Sequence, residues 1–212
     1  MPLRPLHVVW FKRDLRIDDH APLTLAAQGG PVLPLYILEP ELWRQPDVSG
    51  RHFAFLAECL VLLDRQLSRL GQPLVVRTGE AVDVLEAIRA QYGIAGLWSH
   101  EETGNAITFA RDVRVSQWCK AHGAGLTEIP QNGVVRRLQS RDGWAQLWQQ
   151  RMDQPVAAVP AKITSPAFAA DTPRAGSTKN ARPPTNSVCV ASSSPKPSPA
   201  ASPTRGMNSN PS

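Results

Sequence analysis

His7-Val8-Val9-Trp10-Phe11, running directly into Lys12-Arg13-Asp14-Leu15-Arg16-Ile17-Asp18-Asp19, is the stretch that decides the fold. After His7 the run is apolar at every position. A strand with one face in water alternates polar and apolar residues, so an unbroken run signals a strand covered on both faces, as in a parallel sheet flanked by helices. Short apolar runs recur at Val32–Leu38, Leu74–Arg77, Gly96–Ser99 and Gly125–Ile129, each after a segment able to form a helix. Such alternation implies right-handed crossovers. The expected architecture is α/β: a doubly wound, Rossmann-like sheet of five parallel strands in the order 3-2-1-4-5.

The helical segments carry their own signals. Over Arg51–Leu70, residues Phe55, Leu56, Cys59, Leu60, Leu63, Leu67 and Leu70 recur at three- and four-residue spacing and predict one apolar stripe. Ser49 stands where an N-cap belongs, and Gly71 where a left-handed residue stops the helix. Further helices are predicted over Glu80–Tyr92, stopped by Gly93, and Ala106–His122, stopped by Gly123. The first crossover, around Pro22–Gln28, begins after Asp18-Asp19 and closes at Gly29-Gly30. A last short helix, capped by Asp142, would carry Trp144, Leu147 and Trp148 on one side.

The means to build a core are unevenly spread. All six Trp and both Tyr lie before Asp153; beyond it there is no Leu, and Phe168 is the lone aromatic. A segment of that composition cannot bury enough apolar surface to offset chain entropy of ~1–2 kcal/mol per residue. The expectation is a folded domain over residues 1–152 and a disordered Pro/Ser/Ala-rich tail over 153–212. Dividing the charge there explains the net +5, because the tail holds six Lys+Arg against two Asp+Glu and the front is nearly balanced. The tail cations lack interleaved aromatics, which favours a solvated tail over a nucleic-acid site. Cys59, Cys119 and Cys189 are widely spaced and form no CxxC or Cys/His cluster, so reduced thiols in a cytoplasmic setting are expected, with no metal site. Met1–His7 has no long apolar region, and no stretch approaches the ~20 apolar residues of a membrane span, so no membrane partner is expected.

In an open parallel sheet, ligands bind beyond the carboxyl ends of the strands where the order reverses. With the order 3-2-1-4-5, the loop Lys12–Asp19 after the first strand and His100-Glu101-Glu102-Thr103-Gly104-Asn105 after the fourth face one crevice. Neither GxGxxG nor a Walker A sequence occurs, so a nucleotide grip of those kinds is not expected. No Ser or Cys sits in a nucleophile elbow. Of the five His, His100 alone is placed in the crevice; His7, His20, His52 and His122 read as packing or surface residues.

The block Trp10–Asp19 resembles the W-F-[RK]-R-D-L-R-x-x-D stretch that opens the photolyase/cryptochrome family. Arg51-x-Phe53-x-Phe55-Leu56-x-Glu58-x-Leu60 is similar to the family's long second helix, and Leu74–Gly79 to its next strand. Ser99–Asn105, Ile129–Val134 and Arg136–Trp144 resemble a bacterial branch of the same family. The resemblance covers nearly all of residues 5–152 and implies a domain that binds a light-harvesting antenna, such as a folate, a deazaflavin or a flavin, and docks on a helical domain holding FAD. There the reduced flavin splits pyrimidine dimers in damaged DNA, or, in cryptochromes, serves signalling.

Nothing in the sequence matches that helical domain. The resemblance therefore implies a truncated family member with little or no repair activity alone, and no catalytic residue carries over. Two alternatives stand beside it: a stand-alone chromophore- or nucleotide-binding module, and an antenna subunit acting in trans on a separate FAD domain. The candidate antenna contacts are Arg13, Asp14, Leu38, Glu39, Arg51, His100, Glu101 and Glu102. Arg13 and Asp14 suit a docking surface equally well, and Glu101 and Glu102 are either plain loop carboxylates or partners for a ring nitrogen. Arg16 is expected to pair with Asp18 or Asp19, and one of Trp144 and Trp148 to pack at home.

Overall fold

The structure, a computed structural model, describes residues 6–136 and 138–166. Of the tail expected over 153–212, residues 153–166 are described and those from 167 onward lie outside the described residues. The elements follow in the order β1 (His7–Phe11), α1 (Ala21–Gly29), β2 (Val32–Leu38), α2 (Pro40–Trp43), α3 (Gly50–Leu70) and β3 (Val75–Thr78), then α4 (Ala81–Tyr92), β4 (Gly96–His100), α5 (Ala106–His122), β5 (Gly125–Ile129) and α6 (Trp144–Met152). The sheet has five strands in the order β3-β2-β1-β4-β5, and every pair is parallel. The doubly wound α/β fold read from the apolar runs is the fold found.

Why β1 needs no polar face is now visible. Val8 and Trp10 point into a core shared with Leu33, Leu35, Ile37 and Leu97 and closed by Leu85 and Ile88 of α4 and by Val115 and Trp118 of α5. Val9 and Phe11 point the other way, against Leu23 of α1 and Leu56, Leu60, Leu63 and Leu67 of α3. Alternate residues of one strand thus feed two cores, the expected result of helices on both sides of a sheet.

The helix ends mix agreement and correction. Gly71 stops α3 at φ 110°, its N–H reaching the Leu67 and Ser68 carbonyls. Phe55 departs from the predicted α3 stripe and is 70% exposed, while Leu56, Leu60, Leu63 and Leu67 are buried. At α1 the cap is His20, whose Nδ1 accepts from the Leu23 N–H at 3.1 Å. Arg16 makes no ion pair with Asp18 or Asp19; its guanidinium donates to their backbone carbonyls at 3.0 and 3.1 Å. Asp142 does not cap α6, where Gly143 holds the N-cap position at φ 76°. Trp144 and Trp148 share the exposure that was expected to fall on one of them, at 42% and 39%. Trp144 Nε1 donates to the Gly133 carbonyl at 3.0 Å.

Beyond α6 the chain returns over the domain. The Ala157 N–H donates to Asp19 Oδ1 at 2.9 Å, and the Ala158 carbonyl accepts from Thr24 Oγ1 at 2.7 Å. Farther on, the Ile163 N–H reaches the Leu70 carbonyl at 2.7 Å, the Val32 N–H reaches the Thr164 carbonyl at 3.0 Å, and Ser165 Oγ meets Gln72 Oε1. Ile163 is 1% exposed and belongs to the core between β1 and α3. One well-buried side chain explains how a segment of low apolar content is held down. Ile163→Ala should therefore cost about 2–5 kcal/mol in urea denaturation; an unchanged midpoint would show that residues 157–165 add nothing to stability.

Candidate functional site

The carboxyl ends of β1 and β2, the loop into α5, α2 and the first turns of α3 enclose a cavity of about 460 Å³. Its aromatic wall is Trp10, Tyr36, Trp43 and Phe55, and polar groups reach it from Lys12, Glu39, His52, Asn105, Thr108 and Arg111. That size and mixture suit a planar organic molecule, for which ~300–1,000 Å³ is the usual range. The residues thus fit a ring-bearing cofactor: aromatic side chains in the lining and a few donors and acceptors beside them.

Arg111 organises the inner end. It replaces an apolar residue in the buried stripe Thr108, Arg111, Val115, Trp118 of α5 and is 3% exposed. Its Nη1 donates to Glu39 Oε1 at 2.8 Å, and its Nη2 lies 2.9 Å from Asp112 Oδ1 and 3.6 Å from Glu102 Oε2. Burial works against the charge, yet the carboxylates of Glu39 and Asp112 outweigh it and raise the Arg111 pKa. Burial pushes the Glu39 carboxyl above its ordinary range, against the pull of Arg111. Lys12 Nζ lies 3.3 Å from Asp112 Oδ2 and 3.8 Å from Glu128 Oε1, and Arg136 pairs with the same two carboxylates at 3.4 and 3.0 Å. Buried charges persist only when paired in this way.

The eight candidate contacts divide. Arg13, Glu39 and Glu102 line the cavity, Arg13 at its rim with a side chain 67% exposed and Nε 3.5 Å from Glu102 Oε1. Leu38 packs on the α1–α3 core, Arg51 is exposed, and Glu101 donates its N–H to the Ile129 carbonyl at 2.9 Å; none of the three lines the cavity. Asp14 and His100 are not in the crevice but buried beside it. The sequence reading missed Lys12, Arg111, Trp43 and Phe55, and took His52 for a bland residue although it lines the cavity and accepts from the Ser49 N–H at 3.3 Å. The legible signal was a charged residue in an apolar helix stripe at Arg111.

Asp14, His20 and His100 place three ligand-type atoms within 4.8 Å of one another. Their chemistry is that of a hydrogen-bonded knot. Because His20 Nδ1 accepts from Leu23, the ring proton sits on Nε2 and goes to Asp14 Oδ2 at 2.9 Å. A metal on Nε2 would drive that proton onto Nδ1, against the Leu23 N–H, so the set does not fit a cation. His100 Nδ1 meets Asp14 Oδ2 at 2.6 Å, and the Lys12 N–H reaches Oδ1 at 2.8 Å. Burial opposes the Asp14 charge, but the hydrogen bonds from His100 and His20 hold its pKa far below the carboxylate range. Burial also lowers the His20 pKa, against the attraction of Asp14.

A doubly wound sheet with an aromatic-walled crevice at its switch point defines the α/β ligand-binding domains. The family model described as DNA photolyase matches residues 7–143, and the chain belongs to that family. It is similar to the Cryptochrome DASH, chloroplastic/mitochondrial, of Arabidopsis thaliana, 31% identical over 103 residues, covering 45% of this chain and 18% of the relative. A bacterial class III photolyase from Agrobacterium tumefaciens superposes with a TM-score of 0.67 at 23% identity, over 84% of this chain and 39% of its own. An archaeal photolyase from Sulfolobus tokodaii gives 0.59 at 21% identity, over 76% and 37%. The chain thus spans about a fifth to two fifths of the length of these relatives. Among the described residues, no helix is long and apolar enough to cross a membrane.

The buried knot predicts a two-step acid response. A histidine with a depressed pKa leaves the unfolded chain to take the proton first, so stability should fall below pH ~6.5; the depressed Asp14 pKa adds a second loss below pH ~4. Urea denaturation across this range should show both steps, with Asp14→Asn less stable at pH 7 by roughly 1–3 kcal/mol and its second step reduced to what Glu86 contributes, whose carboxyl the Arg89 and Trp118 hydrogen bonds also hold low. A second step of undiminished size in the variant would remove Asp14 as a source.

Proposed function

We propose that residues 6–166 are the antenna domain of a photolyase-family protein and that the crevice holds a light-harvesting chromophore with a flat heteroaromatic ring, a folate, a deazaflavin or a flavin. The observation that carries this is the cavity itself: Trp10, Tyr36, Trp43 and Phe55 line it, and Glu39, Asn105 and Thr108 offer polar partners for ring edges. Aromatic stacking with a few polar contacts is how such rings are held and oriented. The Sulfolobus tokodaii photolyase is described with two FAD molecules and the implication of a novel light-harvesting cofactor, which supports a ring-binding role for the matching domain.

FAD held by a helical domain supplies the electron for dimer splitting in this family. In this reading FAD and damaged DNA belong to the assembled photolyase, with the antenna domain feeding it excitation within one chain or in trans. The chain's own residues bind and orient the ring: Arg111 fixes the Glu39 carboxylate, and Arg13 and Glu102 close the rim. Free thiols at Cys59 and Cys119 support a reducing, cytoplasmic setting.

Titration of the purified protein with a reduced folate, a deazaflavin and riboflavin should give a shifted absorption band with one of them. Phe55→Ala should weaken that binding about tenfold, the worth of a lost aromatic contact. Its thermal midpoint should stay put, because Phe55 is 70% exposed. Absence of any shifted band with all three compounds would remove the antenna reading.

A further inference from the structure

Trp10 creates a difficulty for any light-absorbing molecule in this cavity, because an indole beside an excited heteroaromatic ring is an electron donor. One electron leaves the indole for the excited ring, an indole radical cation is left behind, and the excitation is lost as heat. Trp10 lines the cavity and is 2% exposed, so water does little to stabilise or destabilise a charge there. The charges around the ring decide the matter.

Two cations lie against that ring. Lys12 Nζ is 4.8 Å and Arg111 Cζ 4.7 Å from its centroid, with side chains 5% and 4% exposed. Both attract the neutral ring through its quadrupole. Both repel the positive charge that oxidation would put on it; the carboxylates paired with them offset part of that repulsion, but the two cations are the charges that lie against the ring face. Trp43, the other indole of the cavity, contacts Phe53 edge-on at 5.2 Å, and among the described residues no cation lies over its ring.

We propose that Lys12 and Arg111 act as an electrostatic guard on Trp10, making it harder to oxidise than it would be without them and so closing the Trp10 route by which a chromophore excited in the crevice would lose its excitation, with Trp43 left outside the guard. This rests on the antenna reading for its purpose, but the guard is a property of the chain alone. It also gives the paired carboxylates a role: Asp112 and Glu128 hold the Lys12 ammonium, and Glu39, Asp112 and Glu102 the Arg111 guanidinium, in place against the ring.

Lys12→Met tests it, because Asp112 and Glu128 keep Arg136 as a partner and Asp112 keeps Arg111. With riboflavin as the probe, the bound-flavin fluorescence lifetime should shorten at least twofold in Lys12→Met, stay near the parent value in Lys12→Arg, and recover in Lys12→Met combined with Trp10→Phe. A second measurement needs no ligand. Azide radical takes one electron from protein indoles, becoming azide ion, and the indole radical loses its N–H proton and adds dioxygen; peptide mass spectrometry then reads the share of oxidation at each Trp. The Trp10 share should rise at least twofold in Lys12→Met and not in Lys12→Arg. Failure of riboflavin to bind counts against riboflavin as the chromophore and leaves the azide-radical measurement to decide the guard. An unchanged Trp10 share, or an unchanged lifetime of bound riboflavin, overturns the guard whatever the cavity holds.

Discussion

The Asp14 carboxylate ties together three pieces of chain that would otherwise separate where the sheet's connections diverge. From β1 the chain turns to α1 on one side, while β4 arrives from the helices of the other, and a gap between the two is the geometric consequence. Asp14 bridges it, accepting from the Lys12 amide at the end of β1, from His20 at the start of α1 and from His100 at the end of β4. With those ends pinned, Lys12 and Arg13 face the crevice and Arg111 can reach Glu39 across it. The cavity depends on a buried ionised carboxylate with several donors around it, an arrangement that a low dielectric strengthens only while it stays complete.

How much of this was legible follows from the range of the interactions. The strands could be read because each is a local apolar run, and the order 3-2-1-4-5 was supposed as the common Rossmann-like arrangement of a doubly wound sheet. Gly71 was legible since helix termination is a local event. Phe55 misled the reading because its spacing is that of the buried stripe, and whether such a residue meets a core or a cavity depends on what lies opposite. Periodicity cannot report that.

The site was harder to read for the same reason. Glu39, Glu102 and Arg13 were found because they follow strands whose carboxyl ends were already placed. Arg111 and Lys12 were missed as site residues because their meaning comes from partners 72 and 100 residues away in sequence. His20 shows the limit well, since a lone histidine between Asp19 and Ala21 gives no hint that one ring nitrogen caps a helix and the other holds a carboxylate.

The segment from Ala157 to Ser165 bears on how force enters the domain. It starts beside Asp19, runs along α1 past Thr24 and finishes at the start of β2, where Val32 and Leu70 hold it by hydrogen bonds on either side of the buried Ile163. A pull transmitted through the following chain loads those bonds and that one side chain before any strand pair feels tension. They lie at the beginning of β2, whereas the crevice opens at the strands' far ends, so the last anchor of the described chain and the ligand-facing rim sit at opposite ends of the sheet.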